Sequence, residues 1–391
     1  MKPQVQNPNY RVVLIGNYLP DQQFSMQRFA QLLQLGLSAQ GVDVELILPP
    51  VVFGKLCSKN NGVSKYLGYV DKFLLFPFLL RSRIRSISSP CIVHICDHSN
   101  APYTKWLTDL PHLVTCHDLL AIRSALGEFP ENRTQWMGRQ LQAMILRGLK
   151  RARSITSVSS ATRDDVTRIV GRHPSCQYVI PNALNASFIH EANQALTTVS
   201  TEERAVEGRY VMHIGSGSWY KNRAAVLRIF SKLSNSIPDL KLVVIGPEYT
   251  DKALVENGCE TLASKLFYLK DIDDDALQNI YKHAELLLFP SLIEGFGWPI
   301  LEAQACGCSV LTLDRAPMNE LNASPSLMID ADDSPQWEDR ATLACSEAIN
   351  SPAPIKDEQQ LQLKAFALKF SLERIIPQYL ELYEAQLNTD S

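Results

Sequence analysis

Twelve short apolar runs, arranged in two series of six, constrain the fold of this 391-residue chain more than any other feature. Each run ends in polar or glycine-rich residues and is separated from the next by a helical pattern. Short apolar runs bounded by turn residues are typical of buried parallel strands, and helices between them indicate α/β organisation. The first series comprises 11–16, 43–48, 91–96, 113–116, 154–159 and 177–180. The second comprises 210–215, 241–246, 265–269, 286–289, 309–313 and 327–329.

A polar segment without a sustained pattern, residues 191–208, separates the two series and predicts a linker. The sequence therefore predicts one domain over 1–190 and a second over 209–371. The last segment, 372–391, contains a helical pattern over 372–387.

Composition excludes several classes of protein. A hydrophobic content of 46% gives each domain a sizeable core, and a net charge of −3 argues against a general nucleic-acid binder. Nine cysteines without a paired C-x-x-C unit favour reduced thiols and a cytoplasmic location. The opening MKPQVQNPNYRVVLIG has no long apolar stretch after its lysine, so we expect no secretory signal.

Residues 286–304, LLLFPSLIEGFGWPILEAQ, combine a strand, a loop and the start of a helix. Prolines and glycines prevent a regular element between the strand and about residue 299, where Pro299 suits the first helical position. Glu294 is expected in the loop and Glu302 in the first helical turn. A loop that follows a strand in an open α/β sheet faces the crevice where ligands bind.

The spacing of these acids, E-GFGWPIL-E, together with FPS before it and EAQACG after it, resembles the E-x₇-E signature of retaining glycosyltransferases of family 4. The resemblance implies a GT-B fold, in which two Rossmann-like doubly wound domains face a central cleft and the C-terminal helix of 372–391 packs back on the first domain. It implies that the second domain binds a nucleoside diphosphate sugar. Glu302 would then hold the ribose hydroxyls, while Glu294 and the backbone of Gly295, Phe296 and Gly297 would hold the sugar.

The loop after residues 210–214, GSGSWYKNR, places Lys221 just before a helix. A lysine beside a helix N-terminus suits a diphosphate, because the point charge and the backbone dipole both attract the anion. Gly215 lies in the same loop. The family usually has an arginine ahead of this lysine, where this chain has Ser216 or Tyr220, so Arg223 is the candidate substitute.

Loops of the first domain supply the expected acceptor side. His117 follows a strand, and the resemblance places such a histidine close to the transferred sugar. The first loop lacks the family's two adjacent glycines and has amides there, which can bond hydroxyl groups. The remaining candidates are Gly16, Asn17, Gln22, Gln23, Asp118 and Ser159 for the acceptor or first loop, and Asn182 for the donor.

The acidic run DIDDD at 271–275 is interpreted as a helix start rather than a metal site, because acidic residues favour the dipole there. In the implied mechanism, Lys221 and a helix N-terminus stabilise the leaving diphosphate in place of a metal. We therefore expect neither a metal nor another cofactor.

The run KFLLFPFLLRSRIR at 72–85 is too short to span a membrane. Pro77 interrupts a long amphipathic face, which favours a core helix. Peripheral contact at the inner face of a membrane carrying a lipid-linked acceptor stays open.

Together these features predict a metal-independent retaining transferase that moves a hexose, mannose or glucose, to a saccharide or lipid-linked acceptor in polysaccharide biosynthesis. A non-catalytic nucleotide-sugar-binding module and a nucleotide-sugar epimerase remain as alternatives. A nicotinamide-dependent dehydrogenase is disfavoured, because Gly16 is followed by Asn17-Tyr18-Leu19 rather than by G-x-G-x-x-G. The sequence leaves the donor base, the acceptor, the linkage and the oligomeric state undetermined.

Overall fold

A computed structural model of the chain describes residues 9–56, 67–87, 90–130, 132–171, 177–194, 206–332 and 336–388. The chain divides into two compact units. The first comprises Met1–Ala183 and Leu372–Ser391, and the second comprises Leu184–Ser371. A helix, Ala186–Asn193, overlaps the start of the segment predicted as a linker, and residues 195–205 of that segment lie outside the described residues.

All twelve predicted strands are present and form two six-stranded parallel sheets, one in each unit. The first sheet contains β1 (Arg11–Ile15), β2 (Asp43–Ile47), β3 (Cys91–Ile95), β4 (His112–Cys116), β5 (Ser154–Ser157) and β6 (Gln177–Val179). The second contains β7 (Tyr210–Ile214), β8 (Lys241–Ile245), β9 (Leu266–Leu269), β10 (Leu286–Phe289), β11 (Val310–Leu313) and β12 (Met328–Ile329). The α/β, Rossmann-like organisation predicted from the apolar runs is therefore confirmed.

Helices connect the strands, as parallel pairing requires. In chain order they are α1 (Phe24–Ala39), α2 (Phe76–Arg85), α3 (Leu120–Leu126), α4 (Trp136–Arg151), α5 (Ser160–Asp165), α6 (Ala186–Asn193), α7 (Arg223–Ser236), α8 (Asp251–Glu256), α9 (Asp274–His283), α10 (Trp298–Ala305), α11 (Met318–Leu321), α12 (Trp337–Asn350), α13 (Ala353–Ala367) and α14 (Leu372–Asn388).

The C-terminal helix α14 packs into the core of the first unit. Gly36 of α1 permits the approach, because a Cβ there would lie 2.4 Å from Cγ1 of Ile376. Buried His94 of β3 links the helix to the sheet, since its Nδ1 lies 2.7 Å from the Tyr383 hydroxyl and its Nε2 lies 2.7 Å from the Thr115 hydroxyl.

In each sheet the strand order reverses direction at one place. The first sheet has the order β2-β1-β3-β4-β5-β6 and the second β12-β11-β10-β7-β8-β9. The reversals fall between β1 and β3 and between β7 and β10. Ligands of open α/β sheets bind at such points, beyond the carboxyl ends of the strands.

Two general properties of the described residues complete the fold. The seven described cysteines are buried and free of disulfides. Within the same residues, we find no helix of the length and hydropathy needed to cross a bilayer.

Candidate functional site

The loops after β7 and β10 lie side by side at the reversal point of the second sheet. Two hydrogen bonds tie them together. The backbone N–H of Leu292 donates to the carbonyl of Tyr220 at 2.7 Å, and Nδ2 of Asn222 donates to the carbonyl of Pro290 at 3.1 Å. The lysine turn, Trp219–Lys221, is thereby held against the loop that carries the first glutamate of the signature.

Lys221 and Glu294 form an ion pair across these loops. The Lys221 Nζ lies 2.7 Å from Oε1 of Glu294, and the two side chains are only 14% and 9% exposed. The same Nζ lies 5.1 Å from the centre of the Phe289 ring. Partial burial strengthens this attraction relative to a surface pair, so the lysine and the carboxylate hold each other in the loop.

Two glycines bring the loops after β7 and β8 into direct backbone contact. Gly246 has a φ of +146°, and a Cβ at that position would lie 2.2 Å from the carbonyl oxygen of Gly215. An L side chain at residue 246 would therefore force the two loops apart.

Helix α10 begins at Trp298, one residue earlier than predicted, so Pro299 is its second residue. Glu302 is consequently the fifth residue and lies in the second turn, which corrects the first-turn placement. The Glu302 side chain is buried. Gly297 precedes the helix with a φ of +116°, a left-handed conformation that favours glycine.

The ring of Phe296 anchors the loop before α10. It is buried and packs edge-on against Trp298, with ring centres 6.1 Å apart, and against Phe370 at 6.3 Å. Its side chain therefore fixes the loop in the core of the second unit.

Arg223 is directed to the loop after β8. Its guanidinium donates to the carbonyl of Pro247 and lies 4.2 Å from the centre of the Tyr249 ring. Its role as a substitute for the family's arginine stays a prediction.

His213 and Ser291 are buried polar residues beside these loops that the sequence analysis missed. Burial lowers the pKa of His213 to about 4, so the ring is neutral at pH 7. Its Nδ1 donates to the carbonyl of Leu288 at 2.9 Å, which leaves Nε2 as an acceptor without a hydrogen-bond partner among the described residues. The Ser291 hydroxyl is likewise buried and unpartnered within those residues. The available signals were a histidine within the last residues of one strand, VMHIG, and a serine just after another, FPS.

In the first unit, a polar cluster occupies the reversal point between β1 and β3. Asn17 donates through Nδ2 to Asp97 at 2.6 Å and also contacts the Gln23 side-chain oxygen. Nδ2 of Asn100 lies 3.3 Å from the carbonyl of Gly16. The amide residues predicted for the first loop are thus engaged with one another, except Gln22, which is exposed with a φ of +52°.

The titratable residues of this cluster are Asp97 and His98. Burial opposes ionisation of Asp97, but the charge and hydrogen bond of His98, whose Nδ1 is 3.2 Å away, hold its pKa below the usual value. Burial also opposes the charged form of His98 and so lowers its pKa, but the interaction with Asp97 outweighs burial and raises the pKa overall. Asp97 and His98 are therefore central to this cluster.

His117 lies next to the cluster and is buried. Burial lowers its pKa, so the ring is neutral. Because its Nε2 lies 2.9 Å from the carbonyl of Cys96, that nitrogen carries the proton. Nδ1 is then an acceptor, and it has no hydrogen-bond partner in the described part of the chain. The ring is held edge-on by Phe29 at 4.7 Å.

Three other candidates have structural contacts. Asp118 accepts the backbone N–H of Leu120 at 2.9 Å. Ser159 caps α5 by accepting from Thr162 at 3.2 Å. Asn182 lies in the first unit and is buried, with its side-chain oxygen unpartnered among the residues described.

A cavity of about 300 Å³ opens beside the polar cluster. Amides, hydroxyls and aromatic rings line it, a mixture that suits a hydroxylated ring. Those that contribute include Asn17, Gln23, Ser99, Asn100, Tyr18 and Tyr69.

The acidic run at 271–275 forms a helix start, as interpreted from the sequence. Asp273 caps α9 by accepting the backbone N–H of Ala276 at 2.8 Å, and Asp274 and Asp275 occupy the first turn.

Two family models match this chain. Residues 199–348 match the family model described as "Glycosyl transferases group 1", and residues 26–188 match that of "Glycosyltransferase Family 4". These two matched segments fall on the two halves that carry the candidate residues.

Similar curated proteins include the O-antigen chain mannosyltransferase B of Escherichia coli, 27% identical over 57% of this chain and 60% of that protein. The chain thus spans less than two thirds of that relative. Alpha-maltose-1-phosphate synthase of Mycobacterium tuberculosis is 26% identical over 71% of this chain and 73% of that protein. Among solved structures, sucrose-phosphate synthase from Thermosynechococcus elongatus superposes with a TM-score of 0.68 at 16% identity, covering 98% of this chain and all of the other (100%). That likeness shows a shared fold.

Proposed function

We propose that this chain, which belongs to glycosyltransferase family 4 and has the GT-B fold, is a hexosyltransferase. It moves mannose or glucose from a nucleoside diphosphate sugar to a saccharide or lipid-linked acceptor. The anomeric configuration is retained, and neither a metal nor another cofactor takes part. The mannosyltransferase and maltose-1-phosphate synthase relatives support these two hexoses.

The observation that carries the proposal is the ion pair of Lys221 and Glu294 at the reversal point of the second sheet. A lysine that is held by a carboxylate before the donor arrives can exchange that partner for the diphosphate. Glu294 is then released to accept hydrogen bonds from the transferred sugar. One exchange thus prepares both ends of the bond that will break.

Charge development explains why this arrangement accelerates transfer. As the glycosidic bond breaks, positive charge grows on the sugar ring and negative charge on the diphosphate oxygen. Lys221 stabilises the departing anion more in the transition state than in the bound donor, which is the requirement for catalysis. Glu302 accepts hydrogen bonds from the ribose hydroxyls, which do not react. It therefore contributes to donor binding rather than to the chemical step.

The neutral His117 supplies a hydrogen-bond acceptor to the reaction. Its Nδ1 is free to take a bond from a sugar hydroxyl because Nε2 is committed to the Cys96 carbonyl. The acceptor saccharide occupies the cavity beside Asn17 and Ser99, where amide and hydroxyl groups match ring hydroxyls. The acceptor hydroxyl attacks the anomeric carbon of the donor sugar from the face that the diphosphate leaves, and its proton passes to the departing diphosphate oxygen, which gives retention.

The O-antigen name of the mannosyltransferase relative supports a role in polysaccharide biosynthesis. We place the protein in the cytoplasm, together with its nucleotide-sugar co-substrate. When the acceptor is lipid-linked, the protein contacts the inner face of the membrane.

The decisive experiment measures release of nucleoside diphosphate from a panel that includes GDP-mannose, UDP-glucose and ADP-glucose, with and without chelator. We expect slow hydrolysis of one donor that resists the chelator. Lys221→Met should slow release by about 100-fold or more, as removal of a transition-state charge partner does. Glu302→Gln should raise KM for the donor more than it lowers kcat.

Lys252→Met is the matched control, because that lysine is in the second unit and its side chain is 82% exposed. Loss of release on chelation would overturn metal independence, and inversion of the product anomer by NMR would overturn retention. If no donor is cleaved and one still raises the melting temperature, the protein is a binding module. Interconversion of the nucleotide sugar without transfer would instead assign an epimerase.

A further inference from the structure

A groove in the first unit lies between α2, the turn segment His98–Trp106 and α4, and the proposed reaction does not use it. Its volume is about 280 Å³. Apolar side chains form one part of the lining, and these are Phe73, Pro77, Tyr103, Trp106 and Met144. The other part is basic and consists of Lys105, Arg147 and Arg151.

Close backbone packing makes the groove a fixed feature. A Cβ on Gly148 of α4 would lie 2.4 Å from the carbonyl atoms of Ala101, so only glycine allows this approach. The Thr104 hydroxyl donates to the carbonyl of Gly148 at 3.0 Å. The groove walls are thereby locked together before any ligand binds, which lowers the entropic cost of binding.

Large apolar side chains beside the groove face solvent. On and just before α2, Phe78 is 69% exposed and Leu74 is 61% exposed. The Phe78 ring lies 6.2 Å from that of Trp106, so it continues the apolar lining outward. At the start of α4, Trp136 is 71% exposed, and helical spacing puts it on the same face as Arg147 and Arg151. The core helix expected at 72–85 is present over Phe76–Arg85 as α2, which buries one face, and another face of the same helix is exposed and apolar.

The cations of this surface are exposed and unpaired. Within the part of the chain that the structure describes, no ion pair joins a carboxylate to Arg81, Arg85, Lys105, Arg147 or Arg151. Arg83, on another face of α2, provides the contrast, since it donates to both carboxylate oxygens of Glu45 at 2.7 and 2.9 Å. No acidic residue lines the groove. The three cations that line the groove, in a chain with net charge −3, indicate an anionic partner.

We infer that this basic aromatic surface docks the protein on an anionic lipid bilayer. Exposed Phe, Leu and Trp side chains enter the boundary between head groups and acyl chains, where amphipathic and aromatic residues are favoured. The arginines and Lys105 lie at the level of the phosphates, and the negative surface potential of an anionic leaflet attracts them. The inference deepens the proposed membrane contact and rests on that part of the proposed function alone, since none of these residues takes part in donor cleavage.

Vesicle flotation of the full chain tests this inference. The probes are phosphatidylcholine vesicles with and without about 30% phosphatidylglycerol. We expect binding only to the anionic vesicles, and loss of that binding at high salt because the charges are exposed. Arg147→Gln with Arg151→Gln should weaken binding about 25-fold, or about fivefold for each cation removed. Phe78→Ser should weaken it about tenfold, because an apolar side chain no longer enters the boundary.

The matched control removes two exposed lysines of the second unit, Lys252→Gln with Lys270→Gln, whose side chains are 82% and 64% exposed. It carries the same change in net charge and should bind as the unchanged protein does. Nucleoside diphosphate release in solution, measured on the same samples, reports folding and keeps failure of docking distinct from failure of the transferase proposal.

Four results would overturn the inference. One is equal binding to neutral and anionic vesicles. Another is unchanged vesicle binding by both the double arginine variant and Phe78→Ser. The third is loss of vesicle binding in competition with soluble glycerol phosphate, which would assign a single phosphate site in place of a lipid surface. Binding of single-stranded RNA that the arginine variants lose, without vesicle binding, would assign the surface to nucleic acid and also overturn it.

Discussion

Burial of His94 makes the first unit sensitive to acid. Its ring is fully buried between the hydroxyls of Tyr383 and Thr115, and desolvation, assisted by the nearby His117, lowers its pKa from 6.5 to about 3. Between about pH 6.5 and pH 3, the His94 ring is protonated in the unfolded chain and neutral in the folded protein. Each unit by which the pH falls in this window lowers the free energy of unfolding by about 1.4 kcal/mol. A change from pH 7 to pH 5 should therefore remove about 2 kcal/mol from the free energy of unfolding of this unit.

Other histidines of the unit contribute, so the test compares the unchanged protein with His94→Gln. The lowered pKa of His117 acts in the same direction. The raised pKa of His98 acts oppositely, since its stabilisation is fully present below pH 6.5 and is lost as the pH rises through its folded pKa. These effects are common to both proteins and cancel in the difference. His94→Gln should be less stable at pH 7 yet lose about 2 kcal/mol less on acidification.

Hydrogen exchange followed by mass spectrometry measures the opening free energy separately in each unit. Peptides from β3 and α14 report the first unit, with rates corrected for the intrinsic effect of pH. Peptides from β7 serve as the internal reference, because the second unit contains its own buried His213 and should respond equally in both proteins. Equal losses in β3 and α14 of the two proteins would refute the assignment of a neutral, buried His94.

Two further perturbations have defined outcomes. Gly246→Ala should weaken nucleoside diphosphate binding at least about tenfold in calorimetry, because its Cβ would collide with the Gly215 carbonyl at a strained φ. Gly217→Ala is the control, since a Cβ there meets only the Pro247 ring at 3.6 Å, and equal effects would contradict the argument. Asp71→Asn should cost about 2–3 kcal/mol in urea unfolding at pH 7, because its buried carboxylate accepts bonds from Tyr18 and three consecutive backbone N–H groups. Burial opposes its ionisation, but these bonds lower its pKa, so an unchanged midpoint would show that they add no stability.

The strands could be predicted because a parallel strand covered on both faces is a continuous apolar run with turn residues after it. The positions of Glu294 and Lys221 after two such runs followed from the same pattern. Their pairing did not, since 73 residues separate them and their contact depends on β10 lying beside β7. Strand order is decided by packing of the whole sheet, which no local pattern contains.

Buried polar residues inside strands were the other omission. His94 in CIVHI and His213 in VMHI lie in runs that read as apolar, and their hydrogen-bond partners come from distant segments. Asp118 and Ser159 illustrate the reverse case. Both follow strands, as ligand-binding residues do, but their side-chain oxygens accept backbone N–H groups at the starts of helices. Loop position alone cannot separate these two uses.

The return of α14 to the first unit gives synthesis of the chain a particular order. The ribosome releases residues 1–183 first, yet the helix whose Ile376 fills the space above Gly36 emerges only after the whole of the second unit. Residues 184–371 are contiguous and can complete their core while the first sheet still lacks its covering helix. The usual order, in which the N-terminal domain finishes first, is therefore reversed. Until α14 has emerged, the uncovered face of α1 is an apolar surface that a chaperone can bind.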